Sequence, residues 1–413
     1  MDNRTALIAL GTREYRCLAV AMVMAGFSTF SLLYSAQPLL PFFTAHFAVS
    51  PETASLAVSL ATGPMAIGII FAGWIADRLG RRPVMVFSLA SAAVYGSLAG
   101  LAPSWESLLL LRCLAGIALA GVPAVAMTYI SEEVVPSAIS PAMGLFIAGS
   151  ALGGMIGRLG AAFAAEWFGW RWGLGATGLF SAAAALVFWA YAPNSTGFVT
   201  RTQSLRSALA SYRKVLRDRA LLLLYAEGFL MMGAFVTVYN YVPFRLVAEP
   251  YALGGSAIGA IFLLYILGSI SSTWFGRAAG KFGVRRTFWV PLTVLLAGIG
   301  ATGFTPLWII VGGIALVTGG FFGAHTIASS WVSRRAFGER GYASAVYLFS
   351  YYVGSSLLGS AGGFVWSYCG WPGIVAFCGL LCLLALAIAF VVARVPPLAD
   401  PRQPKMGQQM PPG

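Results

Sequence analysis

The chain has 413 residues, 59% of them hydrophobic and 9% charged, with a mean hydropathy of +0.81. That apolar share exceeds what a soluble globular domain carries and places the chain in a membrane. The net charge of +13 and the pI near 9.8 do not make it a nucleic-acid binder, because the basic residues fall in short clusters at the ends of apolar segments.

A membrane-crossing helix needs about 20 apolar residues, and twelve candidates follow along the chain: roughly 15–44, 53–77, 83–101, 106–131, 139–166, 170–192, 220–246, 256–279, 287–303, 306–332, 342–366 and 371–393. The first run is too long for a signal peptide and lacks a small-residue cleavage site, so it stays as a helix. The connections are short and carry Pro, Gly or charge, as in Ala102-Pro103-Ser104. This divides the chain into a cytoplasmic N-terminus (1–14), a six-helix bundle (15–192), a basic linker (193–219), a second six-helix bundle (220–394) and a disordered tail (395–413). Within the linker, Arg201, Arg206, Arg213, Lys214, Arg217 and Arg219 accompany Leu205, Ala208, Leu209, Tyr212 and Leu216 at helical spacing, which predicts an amphipathic helix on the membrane surface. Lys and Arg cluster on one side of the predicted spans, leaving Arg171 and Arg245 on the other. With the positive side inward, both termini are cytoplasmic.

Polar groups inside apolar spans are the candidates for function. Helix 1 carries Tyr34-Ser35-Ala36-Gln37-Pro38 and helix 7 carries Tyr239-Asn240-Tyr241, so Tyr34, Gln37, Tyr239 and Asn240 are expected to line a substrate cavity, with Tyr347 and Tyr351 adding aromatic surface from helix 11, whereas Tyr241 and Tyr352 read as interfacial-belt or packing residues. Between helices 2 and 3, Gly73-Trp74-Ile75-Ala76-Asp77-Arg78-Leu79-Gly80-Arg81-Arg82 places four charges within six positions. Its glycines allow a tight turn and close helix approach. Asp77, at the C-terminal end of its helix, opposes the helix dipole and needs an outside partner.

Helix 4 carries Arg112 about two turns from its outer end, facing a cavity or bonded to backbone carbonyls. Helix 5 carries Gly149, Gly153, Gly154 and Gly157 ahead of Arg158, a spacing that lets two backbones touch. Glu227 lies about two turns inside helix 7, where a carboxyl can carry a proton or attract a cationic substrate. His325 lies at similar depth in helix 10, either as a hydrogen-bonding structural residue or as the partner of Glu227 in a proton site.

The halves repeat at separations close to 200 residues: Gly73…Asp77-Arg78…Gly80…Arg82 against Gly276…Gly280-Lys281…Gly283…Arg285, and Phe168-Gly169-Trp170 against Cys369-Gly370-Trp371. Duplicated six-helix halves with a site at the bilayer midplane form a transporter architecture. The five cysteines lie in or beside apolar segments without metal-ligand spacing, so no metal is expected. No phosphate-binding loop or nucleophile–base pair occurs, so no cofactor, ATP-driven step or enzymatic activity is expected either.

The G-x-x-x-D-R-x-G-R-R turn resembles the cytoplasmic signature between helices 2 and 3 of the major facilitator superfamily. Over residues 15–393 the chain resembles bacterial members of its YnfM-like branch, grouped with drug and arabinose efflux proteins. The carriers are Leu33-Tyr34-x-x-Gln37-Pro38-x-Leu-Pro41, Met127-Thr128-Tyr129-x-Ser131-Glu132-Glu133, Ala226-Glu227-Gly228-Phe229 and Ala324-His325-x-x-Ala328-Ser329-Ser330-Trp331.

The resemblance implies an all-α membrane protein of twelve helices in two pseudo-symmetric bundles. Asp77 would contact the start of helix 11 near Gly341–Tyr342, and Arg78, Arg81 or Arg82 would pair with Glu132 or Glu133 as a gate. Arg112 would face the cavity and be linked to proton transfer. The helix 5 run resembles the antiporter motif, but Gly154 stands where that motif carries proline and Arg158 where it carries glycine.

The function expected is proton-coupled efflux of small amphipathic or cationic compounds across the bacterial inner membrane, by a protein with no sign of an obligate oligomer. Proton-coupled uptake and a non-transporting sensor or scaffold are the alternatives.

Overall fold

The computed structural model describes residues 7–195, 205–336 and 338–396. Most of the expected disordered tail, the first residues of the N-terminus with Arg4, and Arg201 of the linker lie outside them.

The described residues are almost wholly helical, and we number the long helices in chain order. They are α1 (Arg13–Phe47), α2 (Pro51–Leu79), α3 (Arg81–Ala99), α4 (Trp105–Glu133), α5 (Pro136–Phe168), α6 (Trp170–Tyr191), α7 (Arg219–Val247), α8 (Gly255–Phe282), α9 (Val284–Thr287 continued as Trp289–Ala301) and α10 (Leu307–Arg335). The last segment, Arg340–Arg394, breaks at Gly370 (φ 57°, ψ −151°) into α11 (340–369) and α12 (371–394). Twelve helices stand where the hydropathy places twelve spans.

Local chemistry sets the boundaries. Ser50 and Asp218 accept from backbone N–H groups of the first turns of α2 and α7, and Ser104 and Ser107 close a reciprocal cap at the start of α4. Gly80 and Gly283, at φ +94° and +88°, reverse the chain after α2 and α8, and Gly169 does so between α5 and α6. The echo between Gly80 and Gly283, and between Gly169 and Gly370, is therefore a repeated backbone turn.

Packing repeats in the same way. α1 lies along α5 as α7 lies along α11, α2 along α4 as α8 along α10, and α3 along α6 as α9 along α12. A Cβ at Gly153 would strike the backbone of Phe27, and one at Gly354 would strike the backbone of Phe229, so equivalent glycines bring equivalent helices to backbone contact. The halves meet along α2–α11 and α5–α8. Ser59 and Ser356 exchange hydroxyl-to-carbonyl bonds of 3.0 Å, Ser367 Oγ donates to Glu52 Oε2 at 2.6 Å, and Glu166 accepts from Ser256. The last two contacts sit at the face opposite the arginine clusters.

Large apolar side chains cover the outside, among them Phe71, Phe87, Trp172, Phe180, Trp189, Trp274 and Leu357, while Gln37, Arg112, Arg158, Glu227 and Asn240 are buried within. An apolar exterior around a polar interior suits lipid rather than water.

The linker helix (Leu205–Val215) does more than lie on a surface. The Tyr212 hydroxyl donates to Ile70 O at 3.1 Å and its ring meets Tyr342 edge-on, while Leu209 and Leu216 stay exposed. Burial pushes the Tyr212 phenol up to about 12.

Gly153→Leu is expected to lower the unfolding midpoint of the detergent-purified protein through overpacking of about 1–3 kcal/mol. Gly160→Ala, where a Cβ meets nothing within 4 Å, is expected to leave it unchanged. Equal midpoints for the two variants would refute backbone contact between α1 and α5.

Candidate functional site

Three polar constellations stand out, and the central one lies on the seam of the two halves. The central one joins α1, α5 and α7. α1 narrows into a 3-10 turn at Gln37–Leu39, directed by Pro38, and this sets Gln37 against α5. Arg158 Nε donates to Gln37 Oε1 at 2.7 Å, and Gln37 Nε2 donates to Asn240 Oδ1 at 2.8 Å. Arg158 Nη1 donates to Gly154 O at 2.6 Å. The guanidinium faces the rings of Tyr34, Tyr265 and Phe262 at 4.4, 4.7 and 5.3 Å from their centroids. Tyr239, expected beside Asn240, turns instead into the second bundle, where its hydroxyl bonds Thr318 Oγ1 at 2.6 Å and its ring stacks on Phe262.

The second constellation lies between α7, α10 and α11. Glu227 is 0% exposed, and neither of its carboxyl oxygens has a hydrogen-bond partner among the described residues. His325 Nδ1 and the Tyr347 hydroxyl are 2.9 Å apart, and the imidazole lies between aromatic rings of Phe321 and Tyr351. Glu227 and His325 share no hydrogen bond. Tyr347 connects their surroundings: its ring lies against Gly228, next to Glu227 in the chain, and its hydroxyl reaches His325.

Arg112 sits apart from both. Nε donates to Ala57 O at 2.8 Å, Nη1 to Leu32 O at 2.7 Å and Nη2 to Leu33 O at 2.6 Å. All three nitrogens are committed to backbone carbonyls at the kinked end of α1 and in α2. This is the geometry of the structural alternative and departs from the cavity-facing arginine that the resemblance implies.

The third constellation is the charged turn after α2. Arg81 bridges the two acids, reaching Asp77 through Nη2 at 2.6 Å and Glu132 through Nε and Nη2 at 3.2 Å. Asp77 therefore has Arg81 as its partner and lies in electrostatic range of Tyr342 at the start of α11. Arg78 stacks on Trp74, 3.8 Å from the ring centroid, and Arg82 donates to Ala192 O and Trp189 O at 2.9 and 2.7 Å, tying α3 to the end of α6. Neither takes the expected acidic partner in these contacts. Glu133 is buried beside Tyr129, and its backbone carbonyl accepts from Ile8 N. Gly80 makes the turn, whereas a Cβ at Gly73 would meet nothing within 4 Å, so Gly73 brings no helix close. Gly149, Gly153 and Gly157 each meet α1 at Val23, Phe27 and Ser31.

Sequence reasoning placed Arg158 among the helix-packing residues and missed its bond to Gln37. Its partners lie 121 residues away and, through Gln37, a further 203 along the chain, beyond any local pattern.

The family model described as "Major Facilitator Superfamily" matches residues 17–271 and 229–411. The chain is 41% identical over 381 residues to "Inner membrane transport protein YnfM" of Escherichia coli, covering 92% of this chain and 91% of that one. It is 37% identical to the "Uncharacterized MFS-type transporter YybF" of Bacillus subtilis, covering 96% and 98%. Among solved structures it superposes on a bacterial homologue of the human lysosomal transporter Spinster with a TM-score of 0.73 at 15% identity, covering 93% of this chain and 98% of that one. The corresponding values for a D-xylose–proton symporter are 0.72, 15%, 93% and 97%.

Arg112→Gln is expected to lower thermal stability by about 1–3 kcal/mol per carbonyl left unsatisfied, read as the unfolding midpoint in detergent. An unchanged midpoint with lost proton coupling would restore Arg112 to the transport chemistry.

Proposed function

This chain belongs to the major facilitator superfamily and is a multi-pass membrane transporter, and on that premise we propose that it works by proton-coupled alternating access, exporting small amphipathic molecules across the bacterial inner membrane. The observation that carries the coupling is Glu227, a fully buried carboxyl with no hydrogen-bond partner for either oxygen among the described residues. An ionised carboxylate in that position is uncompensated. Its ionisation requires water or a counter-charge to reach it, which a change of the face exposed supplies. The His325–Tyr347 pair gives the proton a route beside it.

The inner-membrane placement is supported by the relative of that description and by an exterior of apolar side chains. The basic clusters at Arg78, Arg81, Arg82, Lys281, Arg285 and Arg286 favour a cytoplasmic location for that face and for both termini. We read the Asp77–Arg81–Glu132 bridge as a latch beside α11, with α2 the element that carries it between states. The reading requires a small-molecule substrate, protons and the bilayer, with a monomer sufficient. A sensor or scaffold has no use for an uncompensated buried carboxyl.

A specific observation favours a second reading. Gly154 and Arg158 replace the residues that mark antiporters, which supports uptake by proton symport. The sign of the pH change inside proteoliposomes on adding substrate decides between them.

Glu227→Gln is expected to abolish substrate-dependent proton flux in proteoliposomes while substrate exchange persists, and unchanged proton flux would remove Glu227 from the mechanism. Double substitution with His325→Ala is expected to be non-additive, since both act through Tyr347; additive effects would separate them. Asp77→Asn is expected to slow transport by about tenfold, corresponding to about 1.4 kcal/mol at the latch, with binding retained. Normal transport in that variant would refute the latch.

A further inference from the structure

We propose that the Arg158–Gln37–Asn240 centre binds the carboxylate of an organic monoanion whose body is flat and apolar, of the aryl-carboxylate class. This deepens the transporter reading and rests on it, because it places the substrate between the halves. It keeps the amphipathic compounds expected from the sequence and sets aside the cationic ones.

The charges carry the argument. The chain has 13 acidic residues, and Glu227, on α7 two turns from the basic end, is the one placed deep in a span. Arg158 is 2% exposed, and its hydrogen-bond partners are a neutral amide oxygen and a backbone carbonyl. No ion pair joins it to a carboxylate among the described residues. Three aromatic faces around the guanidinium offset part of the cost of burying it. A buried cation without a counter-charge repels a second cation and attracts an anion.

The hydrogen bonds show which anion fits. Arg158 Nε fixes Gln37 with its oxygen toward α5, so the Gln37 amide nitrogen must point to α7 and Asn240 must present its oxygen in return. The order of donors leaves Asn240 Nδ2 without an acceptor, although the residue is 0% exposed. Among the described residues, no acceptor is shown for Arg158 Nη2, and the Tyr265 hydroxyl, beside the same guanidinium, has no partner. Unused donors around one positive charge call for a ligand that only accepts, and a carboxylate is such a group. A single guanidinium matches a single negative charge, and the rings of Tyr34, Tyr265 and Phe262 that pack on it make its surroundings aromatic, which suits a flat apolar body.

The placement suits transport. Gln37 and Arg158 belong to the first half, Asn240 and Tyr265 to the second. A ligand accepting from both halves closes the seam between them, and its loss opens the seam to either side.

The test uses the full chain in lipid nanodiscs with three isosteric probes: benzoate, benzamide and benzylammonium, measured by calorimetry. Benzoate is expected to bind at least about tenfold tighter than the other two, the worth of one charge-assisted contact. Arg158→Gln is expected to remove that preference at a retained unfolding midpoint. Asn240→Asp sets a carboxylate into the centre at unchanged volume and is expected to weaken benzoate similarly, which keeps the test decisive if Arg158→Gln fails to fold. Equal or tighter binding of benzylammonium, undiminished benzoate binding in either folded variant, or no saturable benzoate binding at millimolar concentration would overturn the proposal. Counterflow of labelled benzoate in proteoliposomes separates the two readings: binding without counterflow refutes transport and leaves the anion site standing, whereas proton-linked flux of another compound without benzoate binding refutes the site and leaves transport standing.

Discussion

Everything in this molecule follows from the cost of a polar group without a partner in an apolar slab. The helices exist because the backbone must satisfy itself, and the glycines that join them at positive φ confine the chain reversals to the ends of the spans. The interior then sorts its charged side chains by how completely they are compensated. Arg112 bonds three carbonyls, one from each nitrogen, Arg158 has neutral partners and unused donors, and Glu227 has no hydrogen bond among the described residues. That gradient of compensation separates architecture from chemistry. A satisfied charge braces the fold, and an unsatisfied one is stable only if something else comes to meet it.

The braces and the active groups are also divided between the halves. Arg112 ties α4 to the end of α1 and to α2, locking three helices of the first bundle into one body. Backbone contacts at Gly153 and Gly354 do the same for α1 on α5 and α7 on α11. Between these bodies, beside close approaches at Gly363 and Gly259, the contacts include serine hydroxyls at Ser59 and Ser356, the Glu166–Ser256 bond, and the amide pair Gln37–Asn240. Short polar contacts of this sort exchange for water at small net cost, so two rigid bodies can separate along the seam without breaking either.

The fold was legible in the sequence because its determinants are local. Twenty-residue apolar runs and turn glycines spaced close to 200 residues apart each report on their own neighbourhood. The charged turn was half legible. Its position followed from residue types, and the family resemblance implied that one of its arginines meets Glu132 or Glu133; Arg81 does so at Glu132, whereas Arg78 found a tryptophan one helical turn back and Arg82 found the carbonyls closing α6. Which of three adjacent arginines meets an acid depends on helix rotation, which composition does not encode. The centre was least legible. Gln37, Arg158 and Asn240 were each singled out, yet their bonds span 121 and 203 residues and arise only when α1, α5 and α7 converge.

That convergence also explains why the local motif misled. Glycines at Gly149, Gly153 and Gly157 announce close packing of α5 on α1, and the packing is there. An arginine in the next position, read with that motif, looks like an interruption. The backbone approach that the glycines permit is what brings α5 near enough to α1 for Arg158 to reach Gln37 at 2.7 Å. The glycine run and the charge that follows it therefore act as one device: small residues draw two helices together, and the first large residue beyond them is pressed into the seam. There a guanidinium meets aromatic faces from both halves and the Gln37 amide, which in turn bonds Asn240 of the second half.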